Sequence, residues 1–210
     1  MTEVARRTAR RTARRSAMPA YIAAGAAVVG LVTIGLFFWI GQPWGTINDL
    51  AVLVMTAAVA PLMLAFWELG GWTPTPLALL AQTAGWLAVA TWVVLHIVFI
   101  FGALTFDYAA PATDGLAIES VAQIVIGLWI GGASLLAGAW LAWQRWLGLL
   151  TGVGWALVGV GLLVGGMNHP LSYAGGVGYL LVFPVWAFLM GRLFSRIAPD
   201  AGSRQPAPAR

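Results

Sequence analysis

Residues 77–106 read LALLAQTAGWLAVATWVVLHIVFIFGALTF, thirty consecutive positions without a charge. A helix crosses bilayer hydrocarbon with ~20 mostly apolar residues. Over such a run only a helix satisfies its own backbone groups within lipid. The stretch is too long, and too apolar on every side, for a soluble strand or an amphipathic surface helix. It also lacks the ~10-residue alternating segments of a membrane barrel. At 1.5 Å per residue it would reach about 45 Å, so it has to tilt or project, with Gly85 and Gly102 as adjustment points.

Working outward, the chain predicts six spans over residues 20–40, 47–68, 77–105, 116–143, 147–166 and 171–193. Their only charges, Asp49, Glu68, Glu119 and Arg192, lie near span ends. The joining segments are short and rich in Gly, Pro, Thr and Asn, as loops are. Composition agrees: of the 210 residues, 60% are hydrophobic and 9% charged. A soluble domain carries roughly 25% charged residues, so this chain could not cover a globular surface. The absence of cysteine excludes disulfides, thiolate metal sites and cysteine nucleophiles. The expected fold is an all-α membrane protein, a bundle of six transmembrane helices with both termini cytoplasmic. A basic tail over 1–18 precedes the membrane domain over 19–194, and a Pro/Ala/Gly-rich disordered tail over 195–210 follows it.

The orientation rests on arginine. Arg6, Arg7, Arg10, Arg11, Arg14 and Arg15 precede the first span, and Arg145 lies between spans four and five. Arg192, Arg196, Arg204 and Arg210 lie at or beyond the end of span six. With six spans all eleven fall on one side, which the positive-inside rule makes cytoplasmic. Trp39, Trp44 and Tyr108 mark the outer boundary, and Tyr21, Trp67, Trp72, Trp140, Trp143 and Trp146 the inner one. The first apolar run is of spanning length with no small-x-small cleavage site, so it reads as an uncleaved anchor rather than a signal peptide. The net charge of +4 comes from the tails, which argues against nucleic-acid binding.

The N-terminal tail repeats ARRT, ARRT, ARRS over residues 5–16. At helical pitch the six arginines form two stripes that could lie on anionic lipid headgroups, at ~1 kcal/mol each. Phosphorylation of Thr8, Thr12 or Ser16 would then act as an electrostatic switch. The plainer reading, and the leading one, is a topology signal on a disordered tail. No repeat relates spans 1–3 to spans 4–6, so an inverted-repeat transporter gains no support.

Small residues let helices approach closely in lipid. Gly127, Gly131, Ser134 and Gly138 share one face of span four, and Gly148, Gly152, Gly159 and Gly166 one side of span five. Span six opens with Gly175, Gly176 and Gly178. Spans four to six are therefore the expected tight core. Pro61 and Pro184 fall near mid-span and predict static kinks.

Polar residues within a membrane are costly and mark candidate sites. Gln82, Gly85, Val89, Trp92 and His96 share a face of span three, and Glu119 and Gln123 head the small-residue stripe of span four. This gives a candidate polar cluster of Asp49, His96, Glu119, Gln123 and His169, with His96 on the order of 12 Å below the outer end of its span. Two histidines and two carboxylates could hold Zn²⁺ or another divalent metal, and a His–Glu pair could relay a proton or hold a cationic ligand. The stronger reading is structural. His96 ties helices together, Asn48, Asp49 and Asp114 cap helices, His169-Pro170 forms a turn, and Glu68 and Arg145, both at the inner boundary, could pair. No HExxH, P-loop, G-x-S-x-G or lysine occurs, and no motif implies a cofactor.

The segment GGVGYLLVFPVWAFLMGRLF over 175–194, with NDL at 48–50 and Pro61 in span two, resembles uncharacterised six-helix integral membrane proteins of high-GC bacteria. The resemblance implies a six-span bundle in a bacterial inner membrane and brings no activity or site residues. The expected function is therefore a small polytopic inner-membrane protein without its own catalytic motif, serving as an accessory, packing or sensing subunit beside a membrane-protein partner. The alternative is a small-solute carrier or membrane enzyme built on the polar site around His96 and Glu119.

Overall fold

The structure, a computed structural model, describes residues 3–70, 75–102, 107–138 and 140–197, with side chains from residue 7 onward. Trp72, Arg204, Arg210, the Arg6 side chain, residues 103–106 at the end of expected span three and most of the expected C-terminal tail lie outside it. The first five long helices are α1 (Glu3–Ile40), α2 (Trp44–Leu69), α3 (Pro76–Ile100), α4 (Asp114–Leu136) and α5 (Ala142–Gly165). The sixth is built from α6 (Pro170–Gly176), a π-helical segment (Val177–Val182) and α7 (Phe183–Ile197). All six are long and apolar enough to cross a membrane, which makes this a multi-pass membrane fold.

Successive helices run antiparallel. The start of α1 meets the end of α2, through Thr12 with Glu68 and Ser16 with Pro61. Gln82 near the start of α3 meets Trp129 late in α4, and His96 near the end of α3 meets Glu119 early in α4. Gly159 of α5 packs on Ser120 of α4, and Gly161 of α5 on Ser172 of α6. The start of α1 and the end of α7 therefore share one face of the bundle, the terminal face. The α3–α4 and α5–α6 connections lie on the opposite face.

The expected close packing of span five on spans four and six is present, but α1 and α2 pack as extensively and supply much of the buried core. A Cβ on Gly127 would stand 2.6 Å from the Ala156 nitrogen, and one on Gly152 would meet the backbone of Gly127 and Gly131. These are backbone-to-backbone contacts, which van der Waals packing favours and which no side chain can relax. A second glycine face of α5, Gly154 and Gly161, receives the sixth helix: a Cβ on Gly154 would lie 2.5 Å from the α-carbon of Gly178. Gly138 lies beyond the end of α4, and a Cβ there would meet nothing within 4 Å among the described residues.

Several expectations are corrected here. The first is the separate basic tail over 1–18. α1 is one helix from Glu3 through Pro19 to Ile40. The reason is the four-residue repeat, which puts Thr8, Thr12 and Ser16 on a single stripe. Thr12 and Ser16 are buried against α2, where Thr12 donates to the Glu68 carboxylate and Ser16 Oγ donates to the Pro61 carbonyl at 3.1 Å. Ala13, beside them, is fully buried. Burial of Thr12 and Ser16 also removes them from the switch reading. Thr12→Val is expected to lose about 1 kcal/mol of local stability. Trypsin should then cut after Arg10–Arg15 about fivefold faster while the rest of the bundle resists. An unchanged cleavage rate would mean the stripe does not dock.

The second correction concerns the end of span four. α4 stops at Leu136 rather than 143, and α5 already begins at Ala142. Trp140 leaves the expected boundary belt and turns inward, its ring 3.9 Å from that of Phe66 in an edge-on contact. Gln144 Oε1 accepts from the Leu141 N–H at 2.9 Å and starts the next helix. Trp39, Trp143 and Trp146 are exposed, as belt residues should be. Glu68 and Arg145, a candidate pair in the sequence, take other partners: Arg145 donates to the Leu135 carbonyl at the end of α4. A cation there also suits the negative end of the helix dipole.

The third is Pro184. Proline cannot donate to the carbonyl four residues back, and its ring crowds that group. The turn ahead of it widens into the π segment, where the Phe183 N–H reaches the Gly178 carbonyl. The expected static kink is thus a local π turn. Asn48 and Asp49 are also displaced from the capping role, because α2 starts four residues before them, at Trp44.

Candidate functional site

His96 lies one turn before the end of α3, and Glu119 lies in the second turn of α4. Antiparallel packing brings His96 Nδ1 to 3.8 Å from Glu119 Oε2. The residues are 4% and 3% exposed, so neither group can rely on solvent. Because α3 ends at Ile100, His96 is about 6 Å from the helix end, half the depth expected from the longer span. With one proton between them, carboxyl and imidazole carry no net charge. Burial favours that state, since an uncompensated charge in a low-dielectric interior is expensive.

Aromatic rings enclose the pair. Trp92, one turn before His96, stands edge-on to it at 5.7 Å and edge-on to Trp155 of α5 at 4.9 Å. Trp155 meets Tyr179, in the π segment, at 5.1 Å. Trp92 Nε1, His96 Nδ1, Glu119 Oε2 and Trp155 Nε1 are all buried with no hydrogen-bond partner among the described residues. Buried polar atoms are normally paired; Thr56, Ser134, Thr151 and Trp186 also carry unpartnered buried atoms, and what distinguishes this region is that its four include an ionisable pair. Elsewhere, the hydroxyls of Ser120, Thr33 and Thr83 bond to carbonyls of their own helices.

The other candidates divide. Gln123 is buried one turn after Glu119 on the same face. Asp49 is half-buried and lies near enough to act electrostatically on Glu119. His169 does not join. Its Nδ1 accepts from the Leu171 N–H at 3.3 Å, which makes it the cap of α6 ahead of Pro170. Among the described residues no three His, Asp or Glu side chains converge as metal ligands, so the four-ligand zinc arrangement is not assembled. Gln82 accepts from Trp129 Nε1 at 3.1 Å and ties α3 to α4 nearer the terminal face.

The connection over 107–113 folds across the opposite face above the pair. Asp107 Oδ1 accepts from the Ala109 N–H, the Ala112 N–H reaches the Leu162 carbonyl, and the Tyr108 carbonyl accepts from the Met167 N–H at 2.7 Å. Gly166 allows the close approach: its φ is +75°, and a Cβ there would lie 2.6 Å from the Ala110 oxygen. Burial pushes the Tyr108 phenol above its ordinary value, and the charges of Glu119 and Asp49 push the same way. The folded chain therefore keeps this proton at a pH where the unfolded chain releases it. The stabilisation is complete below about pH 10 and falls as pH rises above it. Subtracting the phenolate absorbance of Tyr108→Phe from that of the intact chain should give no Tyr108 signal up to about pH 11 while the fold holds. A Tyr108 transition near pH 10 would show that the loop leaves it in water.

Trp155, Tyr179 and Tyr108 were not among the site residues expected from sequence. A signal existed for Trp155. It sits mid-span among glycines, away from either boundary, where an indole N–H has no headgroup to bond. Compared with family models, curated proteins and solved structures, the chain matches none.

Proposed function

We propose that this chain is a multi-pass protein of a bacterial inner membrane, with both ends in the cytoplasm, acting without catalysis of its own as a sensing or accessory subunit. Gathering of arginine on the terminal face, from Arg7 to Arg15 with Arg145, Arg192 and Arg196, supports the orientation. One observation carries the sensing role: the π segment places Tyr179 on Trp155, beside the buried His96–Glu119 pair. π turns in otherwise α-helical spans recur at functional sites. A change in the protonation or contacts of the pair would bias the register of the sixth helix, a local event with a readout at the chain's end.

The test is the native mass of the tagged protein in mild detergent, with co-purifying chains identified. A stoichiometric heteromeric complex is expected. A lone monomer or homodimer would overturn the accessory role.

The four orphaned polar atoms favour a second reading, a carrier or membrane enzyme for a small polar solute. His96→Ala and Glu119→Gln separate the two. Under the first reading they lower stability alone. Under the second they abolish transport or ligand binding with folding intact.

A further inference from the structure

The groove between the start of α1 and the end of α2 has a use beyond docking the two helices. It holds a cavity of about 230 Å³ lined by Thr8, Arg11, Thr12, Arg15, Ser16, Leu64 and Glu68. Arg11 and Arg15 are four residues apart, so both guanidinium groups rise on the same side of α1. Among the described residues neither has a carboxylate partner. Two guanidinium groups against one carboxylate leave the lining net positive. Glu68 is itself engaged by Thr12, at the wall of α2. Thr8 is exposed and its hydroxyl-bearing side chain lines the groove, and the exposed flank of Leu64 continues the groove onto the apolar surface of α2.

Depth agrees. The apolar part of α1 runs over 17–40, which puts Arg15 about 20 Å from its middle and Arg11 about 6 Å further out. Headgroups occupy roughly 15–22 Å from the midplane of a bilayer, so Arg15 lies within that layer and Arg11 just beyond it on the water side. Arginine stems reach along apolar surface while their heads stay polar. Guanidinium groups bind phosphate through paired, charge-assisted hydrogen bonds. Arg10 and Arg14, on the neighbouring stripe, do not line the groove.

We propose that this groove is a binding site for a phosphate ester at the membrane surface, with Arg11 and Arg15 holding the phosphate oxygens, Thr8 donating to them, and Leu64 meeting the apolar part of the ligand. This differs from a diffuse attraction between six arginines and anionic lipid, because it uses one stripe and not the other.

The experiment titrates phosphatidylglycerol onto the full-length protein in a zwitterionic detergent and counts bound lipid by native mass spectrometry. Arg11→Gln/Arg15→Gln is compared with Arg10→Gln/Arg14→Gln, which removes the same charge from the other stripe. The first pair is expected to weaken binding at least tenfold and the second less than threefold, with unfolding temperature unchanged in both. A parallel arm adds millimolar inorganic phosphate. Displacement of the lipid would assign the site to free phosphate as well, and no displacement would assign it to the lipid headgroup; both keep the phosphate site. Equal weakening by the two pairs, or none by the first, would overturn it.

Discussion

Adding one methyl group at Gly152 is expected to destabilise the bundle by about 3 kcal/mol. The new methyl of Gly152→Ala would press on backbone atoms of Gly127 and Gly131, standing 2.7 Å from the α-carbon of Gly131. Backbone cannot rotate away as a side-chain tip can, so α4 and α5 have to separate. Overpacking of this kind costs about 1–3 kcal/mol, occasionally more, and the upper end applies because both sides are rigid. For a chain of this size each kcal/mol moves the unfolding temperature by roughly 2–4 °C. Thermal unfolding in detergent should therefore show a drop on the order of 6–12 °C. Gly132→Ala is the control, since nothing lies within 4 Å of its Cβ position. It should be neutral or slightly stabilising through better helix propensity. Equal stability of the two variants would contradict the close packing of α4 on α5.

The second large effect is expected at the polar pair. His96→Leu leaves a buried carboxyl group facing an apolar side chain, and Glu119→Leu leaves an imidazole in the same position. Leaving one buried polar group without its partner costs about 1–3 kcal/mol, whereas replacing both partners with apolar groups of similar shape is often close to neutral. Each single variant should lose yield and lower the unfolding temperature, and His96→Leu/Glu119→Leu should recover most of the loss. The double-mutant cycle reads the coupling directly. Additive losses would mean that the two side chains do not interact across the 3.8 Å gap.

The six spans were legible because lipid imposes one local rule on each of them, about 20 uncharged residues in a row. The α4–α5 interface was legible for a related reason: Gly127 and Gly131, and Gly148 and Gly152, recur at four-residue spacing, which a helix turns into a face. His96 and Glu119 stood out because polarity within a span has few explanations. What escaped needed a partner from elsewhere in the chain. The hydroxyl stripe of the ARRT repeat looks like a solvated tail until Glu68 and the Pro61 carbonyl are set against it. Trp140 looks like a boundary residue until Phe66 takes its ring, and the inward turn ends α4 early. His169 reads as a fourth ligand when counted by residue type, yet Pro170 behind it fixes a helix start, and the imidazole caps it. Tyr179 reaches Trp155 from the π segment ahead of Pro184, and sequence shows the proline but not how the turn before it relaxes.

The most direct test of a six-span bundle with both ends cytoplasmic uses the absence of native cysteine. Single cysteines at Thr8 and Ser195 mark the terminal face, and at Gln42, Asp107 and Asn168 the opposite face. In intact cells a membrane-impermeant maleimide should label the Gln42→Cys, Asp107→Cys and Asn168→Cys proteins. Thr8→Cys and Ser195→Cys should react only after the membrane is opened. Labelling of either terminal position from outside, or of both sets from the same side, would contradict the fold's placement in the membrane.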